Sequence, residues 1–202
     1  MKILFLIDTT YFQQSLFSQE IEGCLEQMDR IRVFFNKLDE KYKKNITFRA
    51  RMNSKDSMHF DEDKFILSLS PHIKFDDGSQ HINRVIKNYD LIIVGYDSTA
   101  IYELLSLKKK PFLIIFPENY LDNYLDKAKK NFLLLKKKKI LFLTPEAAAN
   151  TINKKKNTLI KEWDKKINST ELKKFSLNYA KRSFFKFYRL KKLFDKNLPL
   201  DL

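Results

Sequence analysis

Apolar residues along this chain fall into short unbroken runs, separated by longer stretches with three- and four-residue spacing. Lys2 to Ile7, Asp90 to Val94 and Phe112 to Phe116 are unbroken runs and predict strands buried on both faces. Ile46 to Arg51 alternates well enough for another strand. His72 to Phe75 and Ile140 to Leu143 predict two shorter ones. Between them, Ile21 to Tyr42 predicts a helix, with Ile21, Leu25, Met28, Ile31, Phe34, Phe35 and Leu38 on its apolar face. Further helices are predicted over Asp61 to Leu69, from Ser79 or Gln80 to Asn88, and over Tyr120 to Leu135, where Lys136 to Lys139 separates the last from the following strand. Thr144 reads as an N-cap with Pro145 at the first helical position, and Ala147 to Asn153 continues that helix. Two terminal helices are expected between Leu159 and Leu193, split near Asn168-Ser169-Thr170.

Six strands alternating with helices predict an α/β fold: a Rossmann-like, three-layer domain with a six-stranded parallel sheet and additional C-terminal helices. Residues 1–157 are read as the lobe itself, and 158–202 as a helical extension packing on it.

The most informative stretch is 90–118, a single βαβ unit. Its first strand closes at Gly95-Tyr96. Asp97-Ser98-Thr99 can cap a helix whose apolar face is Ile101, Leu104, Leu105 and Leu107, and Pro111 precedes the second strand. Such units place ligands beyond the carboxyl ends of their strands, where a helix N-terminus presents N–H groups and a positive dipole end.

Composition narrows the classes. No apolar run approaches the roughly 20 residues of a membrane span. Cys24 is the only cysteine, so no intrachain disulfide and no cysteine-rich metal site exist, and a reduced, cytoplasmic setting is expected. The first turn, Asp8-Thr9-Thr10, lacks the Gly-x-Gly-x-x-Gly fingerprint, and no Walker-type phosphate loop occurs. The formal net charge of +14 suggests an anionic partner, or else reflects the lysine-, asparagine- and isoleucine-rich composition of an AT-rich genome. Lysine greatly outnumbers arginine, which argues against nucleic acid as the partner.

Phe75-Asp76-Asp77-Gly78, Tyr96-Asp97-Ser98-Thr99 with Glu103, Pro111, and Phe142 to Ala148 form an ordered series, with Trp163 and Tyr179-Ala180-Lys181 behind them. The series resembles the carboxyl-terminal part of a family of bacterial transferases of surface-carbohydrate biosynthesis, related to two-lobed nucleotide-sugar glycosyltransferases of the GT-B type. The resemblance implies a nucleotide-sugar-binding lobe that takes a nucleotide-activated sugar as donor and requires no cofactor. It also implies an N-terminal lobe, here expected on a partner chain, so that this chain corresponds to a fragment, one half of a split gene, or a stand-alone lobe that needs a partner. A lipid-linked acceptor at the inner membrane face would suit the family's products. Two departures stand out. Arg51-Met52-Asn53-Ser54 replaces the family's Tyr-Pro-His-Asp, and Phe142-Leu143 replaces a His-Asp pair, which leaves the catalytic residues unassigned.

The candidate donor-binding residues are Asp97, Ser98, Thr99, Glu103, Asp8, Thr9, Thr10, Arg49 and Arg51. Ser98 and Thr99 either cradle a pyrophosphate or simply cap their helix. Glu103, one turn further on, takes the place of a glutamate that holds ribose hydroxyls in the related enzymes, or else pairs with nearby lysines. Asp8, Thr9 and Thr10 end the first strand at the same crevice, either touching donor or acceptor or capping the next helix. Arg49 and Arg51 fall on one strand face, where they would neutralise a diphosphate leaving group or cover the sheet edge. Asp76-Asp77-Gly78 reads as a turn rather than a metal site. His59, His72 and His81 lack metal-ligand spacing and read as structural or surface residues, so no metal is expected. Lys136 to Lys139 and the aromatic residues from Phe184 to Phe194 either meet a membrane surface or belong to a helix packed on the sheet. The alternative to a transferase lobe is a non-enzymatic basic α/β module that binds nucleic acid or another anionic partner. A receiver-like regulatory domain ranks behind both, because no acidic cluster accompanies Asp8.

Overall fold

The computed structural model describes residues 1–7, 18–49, 62–76 and 78–179. Asp8, Thr9, Thr10, Arg51, His59, Asp77 and the aromatic residues from Phe184 onward lie outside the described residues.

The strands are β1 (Ile3–Leu6), β2 (Ile46–Arg49), β3 (Lys74–Asp76), β4 (Leu91–Val94), β5 (Phe112–Ile115) and β6 (Leu141–Phe142). They form one six-stranded sheet in the order β3-β2-β1-β4-β5-β6, and every pairing is parallel. The helices are α1 (Ser18–Lys37), α2 (Glu40–Lys43), α3 (Glu62–Leu69), α4 (Ile82–Val85), α5 (Thr99–Leu107), α6 (Asp126–Lys137), α7 (Pro145–Lys161), α8 (Trp163–Ile167) and α9 (Thr170–Tyr179). The fold is Rossmann-like, as the alternation of strands and helices predicts.

Period-two side-chain alternation divides the interior into two cores. Ile3 and Phe5 of β1, Ile46 and Phe48 of β2, and Leu91 and Ile93 of β4 face α1, α3 and α7. Leu4, Leu6, Ile92 and Val94 face the other layer, which draws on α4, α5, α6, α8 and α9. Strands covered on both sides must be apolar throughout, which explains the unbroken runs.

Several element boundaries differ from the sequence expectation: the helix expected from Tyr120 begins at Asp126, behind a short 3-10 turn at Tyr120–Asn123, and the one expected from Ser79 or Gln80 begins at Ile82. The helix predicted through Tyr42 ends at Lys37, and Asp39 adopts an extended φ of −60° and ψ of 143° before α2. Asn153 of α7 holds this break open. Its side-chain NH2 donates to the Lys37 carbonyl at 2.8 Å, and its Oδ1 accepts the Asp39 N–H at 3.0 Å. The four-lysine run does not separate elements cleanly, because α6 runs through Lys137. Finally, α7 continues past Asn153 to Lys161. Ile152 and Leu159 are both buried in the same core, and a seven-residue spacing puts them on one helical face across the polar stretch between them.

Gly95 directly follows β4, where there is no room for a side chain. A Cβ there would lie 2.6 Å from the Phe5 ring, and that ring is itself held against Phe34 and Phe48 with centroids 5.3 and 5.1 Å away. The close approach lets the Gly95 N–H donate to the Leu6 carbonyl at 3.0 Å and carries the chain across the end of β1.

Candidate functional site

The chain fills the sheet outward from β1 through β2 to β3, then returns to the far side of β1 at β4. Such a reversal leaves a crevice beyond the carboxyl ends of the strands. A pocket of about 810 Å³ occupies this edge. Leu6 and Arg49 reach it from the ends of β1 and β2, residues 78–82 follow β3, and 96–100, Tyr102 and Glu103 follow β4.

The wall after β3 is a turn fastened by side chains. Gly78 has a φ of 79°, a left-handed conformation that glycine adopts without strain. Its N–H donates to Asp76 Oδ1 at 2.9 Å, as an Asx turn requires. Arg49 Nη1 donates to both carboxylate oxygens of Asp76 at 2.9 Å. Nη2 donates to the Gly78 carbonyl at 3.1 Å and also to the carbonyl of Gln80. The guanidinium is 92% buried on its side chain, leaving 8% exposed, so its donors serve the turn that forms the wall. The turn hands over to α4 at His81, whose Nδ1 accepts the Asn83 N–H at 3.3 Å. With Nδ1 accepting, Nε2 is the ring nitrogen left to donate.

The wall after β4 is the start of α5. Ser98 is extended, with φ −150° and ψ 162°, and its Oγ accepts the Ala100 N–H at 3.2 Å. That is an N-cap. It sets the positive end of α5 toward the pocket. Asp97 is exposed, and its Oδ2 accepts the Tyr124 hydroxyl. Burial, then the Asp97 carboxylate, pushes the Tyr124 hydroxyl pKa well above its ordinary 10.0. Tyr124 itself packs against Tyr120 and Phe132, with centroids 5.7 and 5.0 Å away, so the loop after β4 is tied to an aromatic cluster.

Glu103 lies one turn into α5, on the pocket side. Its Oε2 is buried and has no hydrogen-bond donor among the described residues. A carboxylate oxygen withdrawn from water without a donor is costly, and its acceptor capacity is unused in this structure.

The structure therefore brings Asp97, Ser98, Thr99, Glu103 and Arg49 to one pocket. Asp8, Thr9, Thr10 and Arg51 lie outside the described residues. His81, read from sequence as structural or surface, is both a helix cap and part of the pocket wall. Tyr96 and Tyr102 line the pocket as well. Starting the helix at Ser79 or Gln80 hides His81 inside it; the Asp-Asp-Gly turn followed by a capping residue directly before Ile82 was the available signal.

A second hollow of about 560 Å³ sits at the carboxyl edge near β5 and β6, lined by Glu26, Asp29, Glu118 and Asp122 with Arg30. Burial lowers the Arg30 pKa, opposed by Glu26 and Asp29. Among the described residues, no group of three His, Cys, Asp or Glu side chains is arranged to hold a metal.

A doubly wound parallel sheet with an open pocket at its switch point defines a Rossmann-like α/β domain. Residues 2–190 match the model of the LIC12162 family transferases, and the chain belongs to that family. No curated protein matches it.

Proposed function

We propose that this chain is the nucleotide-sugar-binding lobe of a glycosyltransferase, transferring a sugar from a nucleotide-activated donor in surface-carbohydrate assembly. Membership of a transferase family supports the group-transfer part of this reading. The single observation that carries the ligand class is the Glu103 carboxylate, whose buried Oε2 lacks a donor in a pocket at the head of α5. One carboxylate accepting two O–H groups suits the vicinal hydroxyls of a ribose, and the positive helix end one turn away suits the diphosphate. Arg49 acts here as a positioning residue: it holds the turn after β3, and the α5 N-terminus takes the phosphate charge. His81 is one pocket-wall side chain whose Nε2 could donate to a leaving phosphate oxygen, beside the hydroxyls of Thr99, Tyr96 and Tyr102.

A thermal-shift panel of uridine, cytidine and guanosine diphosphates and their sugar conjugates tests this. A ligand bound only by the folded state raises the melting temperature by mass action. Ser98→Ala combined with Glu103→Ala is expected to abolish the rise while leaving the protein folded. An undiminished rise in the double variant would place the site elsewhere.

A further inference from the structure

Lysines precede nearly every strand of the sheet. In spatial order from one side, Lys74 opens β3, Lys44 precedes β2, Lys2 precedes β1 and Lys87 precedes β4. Lys108 to Lys110 lead into β5, and Lys136 to Lys139 into β6. Because all strands are parallel, these residues share the amino edge of the sheet, opposite the pocket. Two adjoining hollows mark their continuity. Lys2, Lys44 and Lys74 line one with Asn88 and Tyr89. Arg84, Lys87, Lys109 and Lys110 line the next, with no carboxylate among its lining residues.

Little acid offsets this row. Asp39 pairs with Lys41, Glu40 with Lys43 and Glu171 with Lys138, and Asp90 accepts the Lys2 backbone N–H at 2.8 Å. Lys44, Lys74, Lys87, Lys109, Lys136 and Lys137 are exposed, and no ion pair engages them among the described residues. At the other edge, acids line both hollows: Asp97 and Glu103 in the pocket, and Glu26, Asp29, Glu118 and Asp122 in the second. The molecule is thus polarised along its strands.

We propose that the amino edge docks on an anionic lipid bilayer and holds the pocket edge away from it. At about 4.8 Å between strands, the row is about 24 Å long, which suits a flat charged surface. Lysine is a compact point charge that adds to attraction by lipid headgroups without needing a matched geometry. A single-stranded nucleic acid would want stacking aromatics, and among the described residues the two hollows offer only Tyr89. The acidic edge is repelled by the same bilayer, which fixes the orientation.

Co-sedimentation of the full chain with vesicles tests the proposal, comparing phosphatidylcholine alone with equal parts phosphatidylcholine and phosphatidylglycerol. Binding is expected only to the anionic vesicles and is expected to weaken as salt rises. Lys109→Gln with Lys137→Gln should lower affinity about 25-fold, at about fivefold per lysine near the surface. Lys127→Gln with Lys130→Gln removes the same charge from exposed positions at the start of α6 and should change it little. Absence of vesicle binding, equal loss in both variants, or tighter salt-sensitive binding to single-stranded RNA than to vesicles would each overturn the assignment. All four substituted positions carry side chains outside the core, and circular dichroism of each variant distinguishes lost binding from lost folding.

Discussion

Arg49, the last residue of β2, grips Asp76, the last residue of β3, through one guanidinium nitrogen placed 2.9 Å from both carboxylate oxygens. The pair joins neighbouring strands at their carboxyl ends, and the second guanidinium nitrogen holds the turn that walls the pocket. Removing the cation would leave a partly buried carboxylate and two carbonyls without their donor. Arg49→Ala should therefore destabilise the fold by about 3 kcal/mol in a urea titration. Arg49→Lys should recover only part of that, because one ammonium cannot span Asp76, Gly78 and Gln80 together.

Gly95 tests the packing under the other wall. A methyl group 2.6 Å from the Phe5 ring forces movement of a side chain boxed in by Phe34 and Phe48. Gly95→Ala should lower stability by about 1–3 kcal/mol, measured by denaturant midpoint. Phe5→Leu, which frees room for the methyl, should make the Gly95 substitution less costly when the two are combined.

Lys108 caps α5 in the left-handed region at φ 55°, and its N–H donates to the Leu104 carbonyl at 3.0 Å. Glycine takes this conformation without the Cβ clash that lysine suffers. Lys108→Gly should raise the unfolding free energy by about 1 kcal/mol, even though glycine loses more entropy on folding than lysine.

The Tyr124 hydroxyl gives an alkaline signature. Its folded pKa is raised above the ordinary 10.0, first by burial and then by Asp97. The unfolded chain therefore releases this proton at lower pH than the folded one. The contribution is fully present below pH 10.0 and is lost progressively as pH rises above it. Tyr124→Phe should flatten the fall of stability above that pH. An unchanged alkaline limb would show that the hydroxyl is not held by Asp97.

The strands were legible in the sequence because burial on both faces demands apolar runs, as in Leu91 to Val94 and Phe112 to Ile115. The Asp97-Ser98-Thr99 cap was legible because capping chemistry is local. What the sequence could not show depends on contacts between distant residues. Asn153 breaks the helix before Asp39 from 114 positions away. Arg49 reads from sequence as a cation that either meets a diphosphate or covers the sheet edge, yet its partners stand 27, 29 and 31 residues further on. The lysine row is visible only when six strand starts are aligned on one edge, an arrangement that no stretch of linear sequence displays.

The central claim is that Glu103 accepts hydrogen bonds from a nucleotide in the pocket at the head of α5. Calorimetric titration of the nucleotide giving the largest thermal shift, into the parent and into Glu103→Ala, tests it most directly. Loss of charged hydrogen bonds should weaken binding at least about tenfold. The ligand-free variant should be no less stable than the parent, since a buried acceptor without a donor has been removed. Equal affinity in the two proteins, with both folded, would contradict the account.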